Sequence, residues 1–298
     1  MSASLPDSMP DSMFNTFFQA EARLFLLAGI RIALSEDGKD LTSLGIFEDS
    51  DLAVAHIVAK EDCVVAGLPL IPLILEFAGC EFQHLLNVDE GERVSSGAML
   101  AAIQGPAQHL LRTERVILNY LGHLSGIATL TARYVAELKG THTKLLDTRK
   151  TLPGLRYPEK YAVLVGGGKN HRLNLSELLM VKDNHTDRAG GITPAVTKLR
   201  QAYPDDCPPI EVECRTLDEV DEAVAAQVSR IMLDNMDLDQ LREALARIPA
   251  GIETEVSGGV DLSNIAAIGA LGPDFVSVGR ITHSAPAADL SMRISRLE

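Results

Sequence analysis

The sequence predicts an α/β protein whose second half is a parallel barrel, preceded by a smaller α+β domain. Short β-rich segments at 210–214, 230–234, 252–256 and 274–278 recur about every 20 residues, with helical stretches at 217–226, 238–247 and 262–271 between them. That is the pattern of successive β-α units. Two further candidates, 144–147 and 177–182, extend the series to at least six strands and favour a barrel over a doubly wound open sheet, the competing architecture. The 298 residues, 46% hydrophobic and 23% charged, are ample for a large globular core and argue against a disordered or coiled-coil chain.

The elements of the first part follow in order. Apolar residues from Phe14 to Leu34 fall at near-helical spacing, and the turn-forming run SEDGKD at 35–40 ends that helix. Residues 52–65 read as strand, 70–78 as an apolar helix after AGLP, and 91–94 and 99–103 as short strands. A long helical pattern at 111–139 carries an apolar stripe of Ile117, Leu121, Leu124 and Ala128. Gly122 and Gly126 lie near that stripe, where glycine costs up to ~1 kcal/mol relative to alanine, so either another element's backbone approaches closely there or the helix breaks at the domain boundary. The domain boundary is placed just before this helix, at 111/112.

Charge and composition exclude several functions. With 27 Lys and Arg against 41 Asp and Glu, the net charge of -14 is a poor footprint for nucleic acid or a polybasic membrane surface. The longest apolar stretch, 63–75, is too short to span a bilayer and contains Pro69 and Pro72. The leader, residues 1–13, repeats PDSM and lacks the basic and apolar regions of a secretory signal; it is expected to be flexible and the protein cytoplasmic. Cys63, Cys80, Cys207 and Cys214 show no metal-ligand spacing and are expected to be reduced structural thiols.

In a parallel barrel the reactive groups stand at the C-terminal strand ends. Those ends read Asp147-Thr148-Arg149-Lys150, Lys182-Asp183-Asn184-His185, Glu213, Asp234-Asn235, Glu255 with Ser257-Gly258-Gly259, and Gly279-Arg280. Residues 144–188 hold nine Lys and Arg against five Asp and Glu. Within that segment Arg149, Lys150, Arg172 and Lys182, with His171, suit a small ligand carrying several negative charges. Lys160 and Arg188 fit a solvated surface better. Glu213 and Asp234, on successive strand ends, would lie side by side and suit Mg²⁺ or sugar hydroxyls. The turns Ser257-Gly258-Gly259 and Ser277-Val278-Gly279 resemble the phosphate cradle of many barrels, in which glycine exposes backbone N–H groups. GGGKNHR at 166–172 lacks the ending and context of a nucleotide loop; its glycines are expected to turn His171 and Arg172 into the pocket.

Taken together, RTERVILNYLGHLSGIAT (112–129), DTRKTLPGLR (147–156), GGGKNHR (166–172), LMVKDNH (179–185), EVEC (211–214), MLDNM (232–236), EVSGGV (255–260) and SVGRITHSA (277–285) resemble the quinolinate phosphoribosyltransferase family, the carboxylating nicotinate-nucleotide pyrophosphorylases. The first third matches more weakly, through EDGKDLTS (36–43) and VVAGLP (64–69). Lys39 and Arg280 depart from the family pattern. The resemblance implies an N-terminal α/β sandwich (1–111), an incomplete seven-stranded, TIM-like α/β barrel (112–285) and a last segment (286–298) packed back on the first domain. It implies a homodimer in which Arg115 serves the partner's site. The implied reaction, in de novo NAD biosynthesis, joins quinolinate to phosphoribosyl pyrophosphate and yields nicotinate mononucleotide, pyrophosphate and carbon dioxide, with Mg²⁺. By position, Arg149, His171, Arg172 and Arg115 would hold the quinolinate carboxylates. Lys150 and Lys182 would serve quinolinate and pyrophosphate, and Glu213 and Asp234 the ribose hydroxyls and Mg²⁺. Lys150, Lys182, Glu213 and Asp234 form the expected catalytic set. Ser257, Gly258, Gly259, Gly279 and His283 would receive phosphate.

Three other readings compete: a nicotinate phosphoribosyltransferase or the molybdenum-associated paralogue of this family, a phosphosugar lyase with Lys182 as Schiff-base amine, and a non-catalytic phosphometabolite-binding regulator.

Overall fold

The computed structural model describes residues 13–79 and 81–297; residues 1–12 of the leader, Cys80 and Glu298 lie outside the described residues. The chain forms two compact units, Met1–Thr129 with Leu152–Gly166 and Ala285–Glu298, and Leu130–Thr151 with Gly167–Ser284.

The first unit begins with helices α1 (Met13–Phe17), α2 (Ala20–Glu36) and α3 (Leu41–Ile46). The single helix expected at 14–34 is thus two, because Ala20 takes a left-handed φ of 42°. The break lets Phe14, Phe17 and Phe18 cluster around Tyr161, with ring centroids 5.3 to 5.8 Å from it. Strands β1 (Leu52–Ala59) and β2 (Cys63–Val64) follow, then α4 (Leu70–Ala78), β3 (Gln83–Leu86), β4 (Arg93–Val94) and β5 (Met99–Pro106). Helix α4 matches its predicted bounds and ends on Gly79 in the left-handed region.

Helix α5 (Ala107–Glu137) contains both the boundary read from sequence and, at 129/130, the division between the units. Gly122 and Gly126 serve a close approach, the first of the two outcomes they predicted. Ala288 N–H donates to the Gly122 carbonyl at 2.8 Å, and a Cβ on Gly126 would overlap the Pro286 carbonyl. The chain end continues from there as the last strand of the first unit's antiparallel sheet, paired with β1 from Ala53↔Arg296 to Ala59↔Leu290.

In the second unit the parallel strands are β6 (Lys144–Leu146), β7 (Leu179–Val181), β8 (Ile210–Cys214), β9 (Arg230–Asp234), β10 (Glu253–Ser257) and β11 (Phe275–Ser277). Residues 290–296 are β12. Helix α6 (Arg156–Val165) belongs to the first unit and buries six consecutive residues, Pro158 to Val163. Lys160 is therefore fully buried, not the solvated lysine expected from sequence, because α6 is enclosed on all sides.

The parallel sheet has the order β6-β11-β10-β9-β8-β7. A single bridge, Leu146↔Lys169, adds a seventh position beyond β6. Chain order thus runs around the sheet as in a barrel, and among the described residues no ladder joins Lys169 to β7. Helices α7 (Asp183–Ala189), α8 (Ile192–Ala202), α9 (Leu217–Ala225), α10 (Leu238–Arg247), α11 (Ile265–Ala270) and α12 (Arg280–His283) lie between or after the strands. Among the described residues no helix is long and apolar enough to cross a membrane.

Candidate active site

Parallel pairing places the C-terminal ends of neighbouring strands side by side. In sheet order the rim runs from Lys182 after β7, through Glu213 on β8, Asp234 on β9, Ser257 on β10 and Gly279 after β11, to Asp147–Lys150 after β6 and then 169–172. Every predicted site residue except Arg115 belongs to this unit; Arg115 is an exposed residue of α5 in the first unit.

The glycine turns owe their residue type to what touches them. Gly258 and Gly259 have φ of 85° and 64°, a region that side-chain-bearing residues rarely adopt. A Cβ on Gly258 would also overlap the Asn235 amide, itself held by Asn235 in the left-handed region and donating to Asp234 Oδ2 at 2.8 Å. A Cβ on Gly279 would meet Lys150 Cδ at 3.0 Å, Thr148 Oγ1 at 3.3 Å and His283 Nε2 at 3.5 Å. Lys150 and His283, far apart in sequence, thus flank one bare backbone turn. Thr282 Oγ1 donates to the Lys150 carbonyl at 2.8 Å and locks the two loops together.

On the opposite part of the rim Lys182 Nζ lies 3.2 Å from Glu213 Oε2. Arg215, which sequence reasoning missed, reaches Asp183 at 2.8 Å, Glu213 at 3.2 Å and Asp234 at 3.9 Å. It follows EVEC directly and lay beyond the basic segment counted at 144–188. Burial, and then the charge of Glu213, push the Asp234 carboxyl above the usual range. Two hard oxygen donors in mutual repulsion fit a divalent cation such as Mg²⁺. Lys182, ion-paired to Glu213, lacks the desolvated apolar setting of a Schiff-base amine.

Arg172 is half-buried, and its Nη1 donates to the Leu178 carbonyl at 2.7 Å. Desolvation and then the neighbouring charge of Arg149 lower its pKa, with Glu211 opposing. Arg149 and Arg172 thus belong to neighbouring segments of the rim, and two guanidinium groups there would suit an anion with more than one carboxylate.

His171 is placed differently from expectation. Its side chain is 5% exposed, with Nε2 at 3.1 Å from Glu211 Oε2 and 3.5 Å from Glu255 Oε2. Its Nδ1 accepts the Arg172 N–H at 2.7 Å. The ring is enclosed by its own neighbours, with Nδ1 toward the Arg172 N–H and Nε2 toward the two glutamates. Burial first, and then Glu211's charge, raise Glu255 to about 7; burial likewise raises Glu211 to about 7. Both were legible as the period-2 alternation E-x-E in EVEC and ETEVS, where a strand sends acidic residues to one face. Glu255 is thus an interior residue, two before its strand end, rather than part of the exposed rim.

Comparison with known proteins agrees with this geometry. The family described as "Quinolinate phosphoribosyl transferase, C-terminal domain" matches residues 127–293, and its N-terminal domain matches 40–125. The chain belongs to the quinolinate phosphoribosyltransferase family. A probable carboxylating nicotinate-nucleotide pyrophosphorylase of Synechocystis sp. is 45% identical over 245 residues, 81% of this chain and 83% of that protein. Its counterpart in Bacillus subtilis is 41% identical over 256 residues, 86% of this chain and 88% of that protein. The crystal structure of NadC from Streptococcus pyogenes superposes with a TM-score of 0.88 at 39% identity, covering 94% of this chain and 100% of that one. This family member is thus an enzyme of the pentosyltransferase class, with the α/β fold of its relatives.

Proposed function

We propose that this chain transfers the phosphoribosyl group of phosphoribosyl pyrophosphate to the ring nitrogen of quinolinate, releasing pyrophosphate and carbon dioxide and leaving nicotinate mononucleotide, a step of de novo NAD biosynthesis. The observation that carries the reading is the Leu146↔Lys169 bridge, which sets the segment bearing Arg172 beside the end of β6 that leads into Arg149 and so brings two arginines to one part of the rim, as a dicarboxylate requires. Arg149 and Arg172 hold the two carboxylates, with His171 acting behind Arg172 rather than on the ligand. Lys150, His283 and the bare turn at Gly279 receive one phosphate group, and Ser257, Gly258 and Gly259 another.

Departure of pyrophosphate leaves oxocarbenium-like charge on the ribose, which Glu213 and Asp234 stabilise, while Lys150 and Lys182 neutralise the leaving group. Glu213 and Asp234 would also hold Mg²⁺, which when bound supplies further positive charge to pyrophosphate. Loss of carbon dioxide then leaves a pair of electrons in the plane of the ring on the carbon, where the positive charge of the pyridinium stabilises it until a proton replaces the carboxylate.

The working form is a homodimer with Arg115 supplied in trans. Exposed apolar side chains on α2 and α3, among them Leu24, Phe25, Ile32, Leu41, Leu44 and Ile46, support a buried surface in the assembly. The cytoplasm is the location that the free thiols of Cys63, Cys207 and Cys214 favour. The test is release of labelled carbon dioxide from quinolinate, dependent on phosphoribosyl pyrophosphate. No release by folded protein, with both substrates present, would sink the proposal.

A further inference from the structure

The interior of the parallel sheet carries an unusual amount of charge. In-register pairs Glu211↔Arg230 and Glu253↔Arg230, and Glu255↔Met232, place Glu211, Arg230 and Glu255 on one face, all of them below the rim. Arg230 Nη1 lies 3.1 Å from Glu255 Oε2, its other arm reaches Glu253 at 2.7 Å, and its guanidinium stacks 4.3 Å from the Phe275 ring. The same Glu255 oxygen faces His171. Glu211 and Glu255 have no exposed surface. A buried charged network of this kind is costly unless its geometry does something for the protein.

Its outlet is Arg172. Asp147, fully buried, accepts Asn170 Nδ2 at 2.6 Å and the His171 N–H at 2.9 Å, which fixes the backbone at 170–171. The His171 ring then accepts the next N–H, that of Arg172, at Nδ1. An imidazole nitrogen that accepts carries no proton, so the ring is the neutral tautomer with its proton on Nε2, the nitrogen facing Glu211 and Glu255. The two glutamates therefore select the tautomer that lets Nδ1 hold Arg172. Ligand-type atoms of His171, Glu211 and Glu255 also lie within 4.8 Å of one another, as in a metal site. Arg230 already supplies a cation to the Glu255 oxygen concerned, and this favours a positioning network over a metal centre.

We propose that His171, backed by Glu211 and Glu255, is a positioning residue that sets the orientation of the Arg172 fork and thereby the affinity for the pyridine dicarboxylate, without touching it. The inference rests on the assignment of Arg172 to quinolinate. Arg172 is anchored along one edge by Leu178 O and Met180 Sδ, at 2.7 and 3.7 Å. The backbone bond at Nδ1 fixes where that anchored side chain starts.

The test compares His171→Leu, His171→Asn and Glu255→Gln in the full-length enzyme, with separate KM values for quinolinate and phosphoribosyl pyrophosphate. Asparagine places an acceptor where Nδ1 stands, whereas leucine has none. His171→Leu and Glu255→Gln should raise the quinolinate KM tenfold or more and leave that of phosphoribosyl pyrophosphate within about twofold, with His171→Asn recovering most of the loss. Equal losses in His171→Leu and His171→Asn would show that the ring itself meets the ligand. Parallel rises in both KM values would reduce the cluster to a fold element, and either result overturns the proposal. So would a stoichiometric transition metal in the wild type that is lost in Glu255→Gln. Should His171→Leu not fold, Glu255→Gln, nearly isosteric with the wild type, decides alone through the same split between substrates. Wild-type turnover of quinolinate tests the parent assignment separately.

Discussion

The carbonyl oxygen of Pro286 occupies the space in which a side chain on Gly126 would begin. Both belong to the first unit, and the contact seats the segment that leads into β12 against α5. Gly126→Ala should therefore destabilise the protein by up to about 2 kcal/mol, since overpacking against a backbone carbonyl lies at the upper end of 1–3 kcal/mol and alanine returns ~1 kcal/mol of helix propensity. Gly122→Ala, whose Cβ would stand 3.0 Å from Ala288 O, should cost less. Denaturant midpoints order the two variants; a Gly126→Ala protein as stable as wild type would contradict the packing.

A pH dependence follows from Glu255. Its folded-state value of about 7 lies above the ordinary 4.5, so folding favours the protonated carboxyl. That stabilisation is complete below about 4.5 and is lost as pH rises through about 7. Unfolding free energy should fall between pH 5 and 8 in wild type and change less in Glu255→Gln. Identical slopes in chemical denaturation across that range would count against a protonated interior carboxyl.

Substrate choice should follow the arginine pair. Arg172→Ala should nearly abolish turnover, since each charge-assisted bond contributes about 1.5 to 3 kcal/mol. Nicotinic acid, with one carboxylate fewer, should be a very poor acceptor. Comparable kcat/KM for nicotinic acid and quinolinate would reassign the acceptor.

The trans role of Arg115 is open to complementation. Arg115→Ala and Lys150→Ala, each inactive alone, should after subunit exchange give some dimers with one intact site and regain partial activity. Labelled subunits must be seen to exchange; activity that stays at zero despite exchange rules out the shared site.

Arg280 directly follows the Gly279 turn, and its charge acts on Tyr134 and Asp261. It is exposed, and these partners lie within its own unit. Arg280→Ala should leave the KM for phosphoribosyl pyrophosphate within about twofold, a difference of ~0.4 kcal/mol. A tenfold rise with unchanged quinolinate affinity would place its guanidinium on the phosphate.

Local chemistry was enough to read much of this protein from its sequence. The bounds of α4, β8, β9 and α10 follow from apolar periodicity and turn residues, and Gly122 and Gly126 pointed to a close backbone or a helix break, of which the structure shows the close backbone. The charged strand ends pointed to the rim because parallel strands end on one side. Tertiary structure alone decided the rest. Whether Lys160 is solvated or enclosed depends on what surrounds α6, and the break at Ala20 on where Phe18 finds the Tyr161 ring. The partners of His171 lie 40 and 84 residues away at Glu211 and Glu255, and only the sheet order brings them together. Spacing along a chain specifies which side chains share a face of one element; which faces meet is set by packing between elements, and that packing is what buries the His171 ring against Glu211 and Glu255.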